Sequence, residues 1–376
     1  MAKVVQITMS RINNYGSILQ TYAMQRAIEN IPGWTCETID YLPQGGSSGA
    51  RLPLFKRLLN CVRREVIYGR QNRGFRQMRV EEIRMTRPYA NFEDLREAYP
   101  EANVYLTGSD QTFNPLYTKG DPAYFLSFIS EKRRESVRKI SYSASFAQRL
   151  EEEWRPIYRQ ALMDYDALSI REQHGVDLAH ELTGKEVAHC CDPTLLLTHD
   201  EWAEFAQKAR KKIRVPYILC YNLAYRVNPY PMANRVEKAV QNQLELPLIF
   251  LNGSKSDCLK PHSRIIKGAT PYEFVDLFFN ATFIMTSSFH GAAFALQSGK
   301  PFLAYVHGNA DADNRTFDLL RRCGAASHAM PIGPSFTSGL DLKQFESSGR
   351  EKDRLNDFRH KSNVWLRKNL EEALIS

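Results

Sequence analysis

Residues 281–305, ATFIMTSSFHGAAFALQSGKPFLAY, join two apolar runs through a short polar segment. The first run, 281–286, is typical of a β-strand, and the Ala-rich run after the polar segment suits a helix. Pro301 ends that helix before a second strand at 302–305. The stretch therefore predicts a strand–turn–helix–strand unit. His290 lies at its turn, where open α/β sheets bind their ligands.

The rest of the chain repeats this alternation of strands and helices, which predicts parallel sheets covered by helices. A chain of 376 residues exceeds the roughly 250–300 residues at which single cores stop growing. The basic, weakly apolar stretch 204–216 separates two series of such elements. We therefore expect an N-terminal domain at 1–210 and a C-terminal domain at 211–376, with a ligand cleft between them.

The composition, 43% hydrophobic and 24% charged, is that of a soluble globular enzyme. The N-terminus does not resemble a signal peptide, and no apolar run reaches the roughly 18 residues of a membrane span. Seven cysteines without regular spacing indicate reduced thiols and a cytoplasmic protein. Cys190 and Cys191 are adjacent, so we expect buried cysteines there and no metal site.

The positive charge is concentrated in one segment, the basic arm at 51–87. It contains eleven Arg or Lys and three Glu, which accounts for the whole net charge of +8. Apolar residues recur at helical spacing within it, so a helix with a solvated charged face is one interpretation. The other is attraction to an anionic surface, such as lipid headgroups or a polyphosphate-linked acceptor. Nucleic acid is not expected, because no binding motif accompanies the charge.

Two polar segments follow predicted strands of the first domain. NNYGS, with Asn14, Tyr15 and Gly16, opens a helix, and its backbone amides suit an anion, although Gly16 alone indicates only a tight turn. GSDQ places Ser109 and Asp110 at a strand end, where Asp110 is either a helix cap or a base.

Three further segments have the same kind of position. SIRE contains Arg171 and Glu172, for which a surface ion pair is the simple alternative. CDP contains Asp192, which also suits a turn before proline. SFHG contains His290, and a lone histidine is often part of a core. Their shared position favours a site, because the carboxyl ends of strands in doubly wound sheets converge on one crevice.

The chain lacks the sequence motifs of several well-known enzyme classes. The chain contains no GxxxxGK[ST], GxSxG or HExxH motif, and no GxGxxG after the first strand. The crevice thus lacks the usual ATP and dinucleotide fingerprints. Arginine, histidine, carboxylates and backbone amides suit a small phosphorylated anion and acid–base transfer.

The chain resembles the polysaccharide pyruvyl transferase family in six stretches that occur in the family's order. These are NYGSILQTYAMQ, GSDQTFNP, SYSASF, SIREQHGVDLAHELTG, DPTLLL and PYEFVDLFFNATFIMTSSFHGAAFALQSGKPF. The resemblance implies two Rossmann-like, doubly wound α/β domains in a GT-B-like arrangement. It also implies transfer of a pyruvyl group from phosphoenolpyruvate to a sugar of a polysaccharide or lipid-linked glycan. The product that the resemblance implies is a pyruvate ketal.

The resemblance suggests roles for individual residues. His290 is the expected general acid, and Asp110 and Asp192 are candidates for the base or for orienting the acceptor. Many family members have arginine two places before the histidine, where this chain has Ser288. The donor anion then needs other cations. The expected substrate-binding residues are Asn14, Tyr15, Gly16, Ser109, Arg171, Glu172, Ser288, Gly291, Lys300 and Arg315, with Arg171 the first candidate cation.

The expected partners are phosphoenolpyruvate as donor substrate and a sugar or lipid-linked oligosaccharide as acceptor. No metal or other cofactor is expected, since cationic side chains can stabilise a leaving phosphate. The expected location is the cytoplasm, with the inner face of the membrane as a further candidate through the basic arm. Two alternatives stay open: a GT-B glycosyltransferase that uses a nucleotide sugar, and a catalytically silent glycan-binding protein of the same fold.

Overall fold

The computed structural model describes residues 1–41, 54–223, 228–307, 315–333 and 339–374, and for 54–67, 255 and 258 it describes the backbone alone. The chain forms two compact α/β units, each with its own parallel sheet. The first unit comprises Met1–Leu52, Arg76–Leu197 and Asp357–Ser376, and the second comprises Pro53–Phe75 and Thr198–Asn356.

The first unit is built on a seven-stranded parallel sheet. Its strands are β1 (Ala2–Ile7), β2 (Trp34–Tyr41), β3 (Met85–Tyr89), β4 (Val104–Thr107), β5 (Arg138–Ala144), β6 (Ala167–Ile170) and β7 (Val187–His189). The helices in this part of the chain are α1 (Tyr15–Glu29), α2 (Leu54–Glu81), α3 (Phe92–Glu97), α4 (Pro115–Thr118), α5 (Glu131–Arg134), α6 (Arg155–Met163) and α7 (Gln173–Thr183). Parallel strands covered on both faces are largely apolar, and Val4, Val5 and Ile7 of β1 are fully buried.

The strand order β3-β2-β1-β4-β5-β6-β7 reverses between β1 and β4. In a doubly wound sheet such a reversal is a topological switch point, where the loops diverge and leave a crevice outside the carboxyl ends of the strands. NNYGS follows β1 and GSDQ follows β4. Both predicted segments therefore lie at the switch point of this sheet.

The second unit contains a six-stranded parallel sheet. Its strands are β8 (Ile218–Tyr221), β9 (Leu248–Leu251), β10 (Ser263–Ile266), β11 (Phe283–Thr286), β12 (Phe302–Val306) and β13 (Ala329–Pro331). The helices in this part of the chain are α8 (His199–Gln207), α9 (Met232–Leu244), α10 (Pro271–Asn280), α11 (Phe289–Ser298), α12 (Arg315–Arg322) and α13 (Gly349–Glu372). The order β10-β9-β8-β11-β12-β13 reverses between β8 and β11. The unit predicted from 281–305 is present as β11, α11 and β12, and its turn lies at this second switch point.

The division of the chain differs from the predicted boundary near residue 210. The first unit gives way to the second between Leu197 and Thr198, and the last twenty residues return to the first unit. The return of α13 has a packing reason, because its Leu366 and Leu370 are fully buried. Ser362 of the same helix accepts the backbone N–H of Cys191 at 2.9 Å. Helix α2 is likewise divided, with Phe75 in the second unit and Arg76 in the first.

The basic arm at 51–87 contains α2 and β3. Its first cations, Arg51 and the side chains of Lys56, Arg57, Arg63 and Arg64, lie outside the described residues. Attraction of the arm to an anionic surface therefore stays a prediction.

Arginines of the arm whose side chains the structure describes make contacts with other residues of the chain. Arg70 pairs with Glu273, and Arg79 donates from Nε to the carbonyl of Ser10 at 2.9 Å. Arg87 pairs with Asp94 at 2.7 Å. These cations help to hold the arm on the rest of the protein.

Cys190 and Cys191, directly after β7, are reduced and buried, as predicted. Burial raises the pKa of the Cys190 thiol to about 12 and that of Cys191 to about 11. Neither thiol is therefore ionised near neutral pH. Within the described ranges, no three His, Cys, Asp or Glu side chains form a group that could hold a metal ion. None of the helices in those ranges combines the length and apolar content needed to cross a bilayer.

Candidate functional site

The switch point of the first sheet brings Asp110 to Ser17. Asp110 lies three residues after β4, and Ser17 lies in the first turn of α1. The Ser17 hydroxyl donates to Oδ2 of Asp110, and the backbone N–H of Gln111 donates to Oδ1 at 2.9 Å. Thr8, directly after β1, donates from its hydroxyl to the carbonyl of Ser109 at 2.7 Å. Side chains thus join the two segments that form the switch point.

Asp110 has a φ of +79°, which is uncommon for a residue with a Cβ. Its carbonyl accepts the N–H of Ser145 at 3.0 Å, and its backbone pairs with Ala144 in an isolated bridge. The next helix, α4, is capped by Asn114, so Asp110 is not the helix cap that the sequence also allowed. Strained backbone held by its neighbours is common at functional sites. The conformation therefore favours the site interpretation of Asp110.

Arg171 and Asp192 form a buried ion pair at the ends of β6 and β7. Arg171 Nη1 lies 2.8 Å from Asp192 Oδ2, and the two side chains are 1% and 0% exposed. The Ser109 hydroxyl donates to the same carboxylate oxygen at 3.0 Å. Arg171 and Glu172 are both buried, so the surface ion pair considered for them is wrong. Segments after β4, β6 and β7 instead share one buried polar cluster.

The second oxygen of Asp192 also has donors. Oδ1 accepts the backbone N–H of Thr194 at 3.0 Å and the Thr194 hydroxyl at 2.8 Å, which starts a short 3-10 helix at Pro193–Leu195. Asp192 is thus a turn former, as one interpretation of the sequence held, and it is also the partner of Arg171. With donors on both oxygens, the carboxylate suits the positioning of Arg171 better than proton abstraction.

Glu172 and Asn14 order the backbone at the same edge of the sheet. Glu172 Oε1 accepts the backbone N–H groups of Phe146 and Ala147 at 2.9 and 3.0 Å. Asn14 caps α1, since its Oδ1 accepts the N–H of Gly16 at 2.8 Å. The amide of Gly16 that the sequence offered to an anion is thus hydrogen-bonded to Asn14. Gly16 lies inside α1 rather than in a tight turn, and Tyr15 is a core residue with 2% exposure.

In the second unit, hydroxyl groups hold the turn between β11 and α11. The Thr286 hydroxyl donates to the carbonyl of Tyr221 at 2.7 Å and accepts the N–H of Ser288 at 3.1 Å. Ser288 is the N-cap of α11, and its hydroxyl accepts the N–H of Gly291 at 3.3 Å. Ser288 thus has a structural role as the cap of α11.

His290 is the second residue of α11 and is partly exposed, so it is not part of the apolar core. Its ring packs edge-on against Phe289, with 5.2 Å between ring centres. The guanidinium carbon of Arg315 lies 6.0 Å from the centre of the Phe289 ring. Lys300 follows the opposite end of α11, about 15 Å along a ten-residue helix. The structure therefore brings Arg315, but not Lys300, to the turn.

Gly291 is required by the close approach of α11 to β11. A Cβ at this position would lie 2.1 Å from Oγ1 of Thr286. That hydroxyl cannot move away without losing its bonds to Tyr221 and Ser288.

We expect Gly291→Ala to lower stability by roughly 1–3 kcal/mol, the usual cost of overpacking, and to lower activity because the turn must shift. Gly349→Ala is the matched control, since a Cβ there has no atom within 4 Å, and it should be neutral or stabilise by up to about 1 kcal/mol. Thermal unfolding of both variants checks this. Equal melting temperatures would show that Gly291 has room for a side chain.

The sequence did not single out Ser17, Thr194, Thr286, Ser287 or Phe289, although each contacts a predicted site residue or holds its segment. A signal was present for Thr286 and Ser287, at the end of β11. Hydroxyl residues directly after an apolar strand lie at the carboxyl edge, where their side chains can bond neighbouring loops.

The fold is shared with UDP-N-acetylglucosamine 2-epimerases and with a glycotransferase. UDP-N-acetylglucosamine 2-epimerase from Neisseria meningitidis, solved bound to UDP-GlcNAc, superposes with a TM-score of 0.55 at 9% identity, covering 99% of this chain and 100% of that chain. The corresponding epimerase from Rickettsia bellii gives 0.54 at 11% identity, with 99% and 97% covered. The glycotransferase of kitacinnamycin gives 0.53 at 11% identity, with 99% of each chain covered. These likenesses define the fold class, two Rossmann-like domains as in GT-B glycosyltransferases and epimerases.

The family is defined by sequence. The model of the polysaccharide pyruvyl transferase family matches residues 14–309. The chain therefore belongs to the polysaccharide pyruvyl transferase family and is a transferase. No curated protein shows significant sequence similarity to it.

Proposed function

We propose that the protein transfers the pyruvyl group of phosphoenolpyruvate onto two hydroxyls of a sugar, which belongs to a polysaccharide or a lipid-linked glycan. The observation that carries the proposal is the family match over 14–309, which includes NYGS, GSDQ and SFHG at the two switch points. The products are a cyclic pyruvate ketal and inorganic phosphate.

The reaction needs an acid and a base but no redox partner. A general acid protonates the methylene carbon of phosphoenolpyruvate, which becomes a methyl group and leaves positive character on the adjacent carbon. One sugar hydroxyl attacks that carbon and loses its proton. The C–O bond to phosphate breaks, and the second hydroxyl closes the ketal. Of the two hydroxyl protons, one replaces the proton given by the acid and the other leaves with phosphate.

His290 is the proposed general acid. Its imidazole lies at the second switch point, is partly exposed and belongs to the first turn of α11. Imidazole is the side chain best suited to proton transfer near neutral pH. Asp110, strained and hydrogen-bonded to Ser17, is the proposed base or acceptor-orienting group of the first unit.

Arg315 is the proposed cation for the donor. A doubly anionic donor needs compensating charge. Arg171 lies at the end of β6 in the first unit, paired with Asp192, whereas the guanidinium carbon of Arg315 lies 6.0 Å from the centre of the Phe289 ring, at the turn that carries His290. Arg315 is therefore better placed to supply the charge that Ser288 does not.

Arg315→Ala should raise the KM for phosphoenolpyruvate at least tenfold, since a hydrogen bond to a charged group contributes about 1.5–3 kcal/mol. Arg315→Lys should lose nearly as much, because lysine lacks the planar fork that binds two anion oxygens and stacks on a ring. Arg321→Ala, an exposed arginine of the same helix that pairs with Asp318, is the control. Steady-state kinetics at varied donor concentration measure the KM of each variant. An unchanged KM in Arg315→Ala would make Arg171 the first candidate for the cation that binds the donor.

The function is tested by donor binding and phosphate release. Phosphoenolpyruvate at a hundred times its Kd should stabilise the protein by about 2.7 kcal/mol in thermal unfolding. Phosphate release is then measured with phosphoenolpyruvate and a set of methyl hexosides as acceptors. Ketal formation is read by mass spectrometry, as a gain of the pyruvyl group without phosphate. The proposal fails if phosphoenolpyruvate neither stabilises the protein nor is consumed.

The second candidate function is a glycosyltransferase that uses a nucleotide sugar. The observation in its favour is the fold, which is shared with an epimerase solved with UDP-GlcNAc and with Arabidopsis thaliana UGT89C1 solved with UDP-L-rhamnose (TM-score 0.50, 13% identity, 99% and 98% covered). Stabilisation by UDP-sugars instead of phosphoenolpyruvate would favour it. Stabilisation by a glycan alone would favour a silent binding protein.

A further inference from the structure

Glu237 is a carboxylate on the core face of α9. It is fully buried, and its helical neighbours Ala233, Val236 and Val240 are fully buried as well. An ionised group in such surroundings needs specific partners, because desolvation of a charge is costly.

Each oxygen of Glu237 has one such partner. Lys260 Nζ contacts Oε2, and the side-chain amide of Asn222 donates to Oε1 at 3.2 Å. Lys260 also pairs with Asp257 at 2.8 Å and lies 4.5 Å above the ring of Phe250. The buried carboxylate is thus held between a cation and an amide.

Asn222 belongs to the segment that supports the His290 turn. On one side of it, the carbonyl of Tyr221 accepts the Thr286 hydroxyl at 2.7 Å. On the other side, the N–H of Leu223 donates to the Ser287 hydroxyl at 2.8 Å, and that hydroxyl donates back to the Leu223 carbonyl at 3.0 Å. The side chain of Asn222 is directed to Glu237. Glu237 is therefore connected to the residues before Ser288 through the Asn222 side chain and the hydrogen-bonded backbone of 221–223.

We propose that Glu237 is a positioning residue that acts through Asn222 to hold the turn carrying His290. The inference rests on the proposed function, in which His290 is the catalytic group. The ionised carboxylate binds the Asn222 amide by a charge-assisted hydrogen bond, which is stronger than a bond to a neutral oxygen. Protonation of Glu237 weakens this bond and the contact with Lys260, and the turn loses its support.

Glu237 is protonated in a pH range that kinetic assays can cover. Burial raises the pKa of Glu237 from its ordinary 4.5 to about 7, and the opposing effect of Lys260 only limits the rise. The ionisable groups that act on it are Lys260, Asp257, Tyr230, Cys220 and Tyr305. Between pH 4.5 and 7 the folded chain keeps a proton that the unfolded chain has lost, so this group makes stability fall as pH rises through that window.

The pH profile of kcat tests the proposal, because Glu237 and a general acid act on opposite limbs. Positioning by ionised Glu237 gives a loss of kcat below about pH 7, whereas a general acid gives a loss at high pH. Glu237→Gln should remove the acid limb near pH 7 and lower the maximal kcat about tenfold, which corresponds to about 1.4 kcal/mol. An acid limb that stays near pH 7 in Glu237→Gln overturns the proposal.

Two further variants separate positioning from simple stabilisation. Lys260→Met should shift the acid limb to higher pH, because the remaining carboxyl has lost its cation. Asn222→Ala should remove the acid limb from kcat while the pH dependence of unfolding between pH 5 and 7 persists. If Asn222→Ala leaves kcat and its pH profile unchanged, the turn does not depend on Glu237.

Glu351→Gln is the matched control. Glu351 is another buried carboxylate of this unit, 3.2 Å from Nε2 of His328, and its loss should lower stability without changing the shape of the profile. Failure of the proposed function is seen separately, as a wild type that does not consume phosphoenolpyruvate. The profiles are then measured with the donor that the protein does use. The inference fails with that donor too if Glu237→Gln keeps the acid limb.

Discussion

His290→Gln should lower phosphate release from phosphoenolpyruvate by roughly 10²–10⁴-fold, the usual contribution of a general acid. The fold should survive, because His290 is partly exposed in the first turn of α11 and the turn is held by Thr286 and Ser288 instead. Glutamine keeps hydrogen-bonding groups but cannot deliver a proton at neutral pH. Single-turnover kinetics at saturating donor measure the chemical step.

The matched control is His199→Gln. His199 is also at the start of a helix in the second unit, as the first residue of α8, and it packs on Phe279 with 4.9 Å between ring centres. Its replacement should leave the rate within a few-fold of wild type. A folded His290→Gln variant with a wild-type rate would show that another group protonates the donor, and Asp110 would be examined next.

Much of the fold was predictable because strands and helices follow from local patterns. The expected strand at 302–305 is Phe302–Val306, and the helix expected to open at NNYGS is Tyr15–Glu29. The six stretches that resemble the family placed these elements in two domains. Each inference needed only neighbouring residues or a known order.

The assignment of α2 and α13 to the two units was not predictable. An amphipathic helix shows which face it buries but not the core against which that face packs. Leu366 and Leu370 of α13 therefore gave no sign that they complete the first unit rather than the second, which precedes them in the chain.

The positions of the candidate site residues could be predicted from the sequence, but the pairs that they form could not. Arg171 and Asp192 were both expected at strand ends, yet their pairing depends on β6 and β7 being neighbours in the sheet. Glu237 was missed entirely, because a glutamate beside Val236 on a helix normally lies at the edge of the apolar face and reaches water. Its burial depends on Lys260, which lies 23 residues away in the chain.

Asp192→Ala should lower the stability of the protein by about 3–5 kcal/mol, since removing one partner of a buried pair leaves the other charge uncompensated. The Arg171 side chain is 1% exposed, so water does not replace the lost carboxylate. The Ser109 hydroxyl and the N–H of Thr194 lose an acceptor as well. At about 2–4 °C per kcal/mol, the melting temperature should fall by roughly 10 °C.

Glu93→Ala is the control for ion pairs in general. Glu93 pairs with Arg96 at 2.6 Å, but both side chains are more than half exposed, so the loss should stay below about 1 kcal/mol. Asp192→Ala with a loss as small as this would mean that Arg171 reaches solvent or another anion when Asp192 is absent.

The double variant Arg171→Met/Asp192→Leu tests whether the loss of stability in Asp192→Ala comes from the buried charge of Arg171. Replacing both charges with apolar groups of similar size removes the desolvation cost as well as the attraction. The double variant should therefore be more stable than Asp192→Ala, and the effects should be strongly non-additive in a double-mutant cycle. Additive effects would mean that the two residues stabilise the fold independently.

If the pair only stabilises the fold, the double variant should also keep its activity. If Arg171 or Asp192 contacts the donor or acceptor, activity should be lost although stability returns.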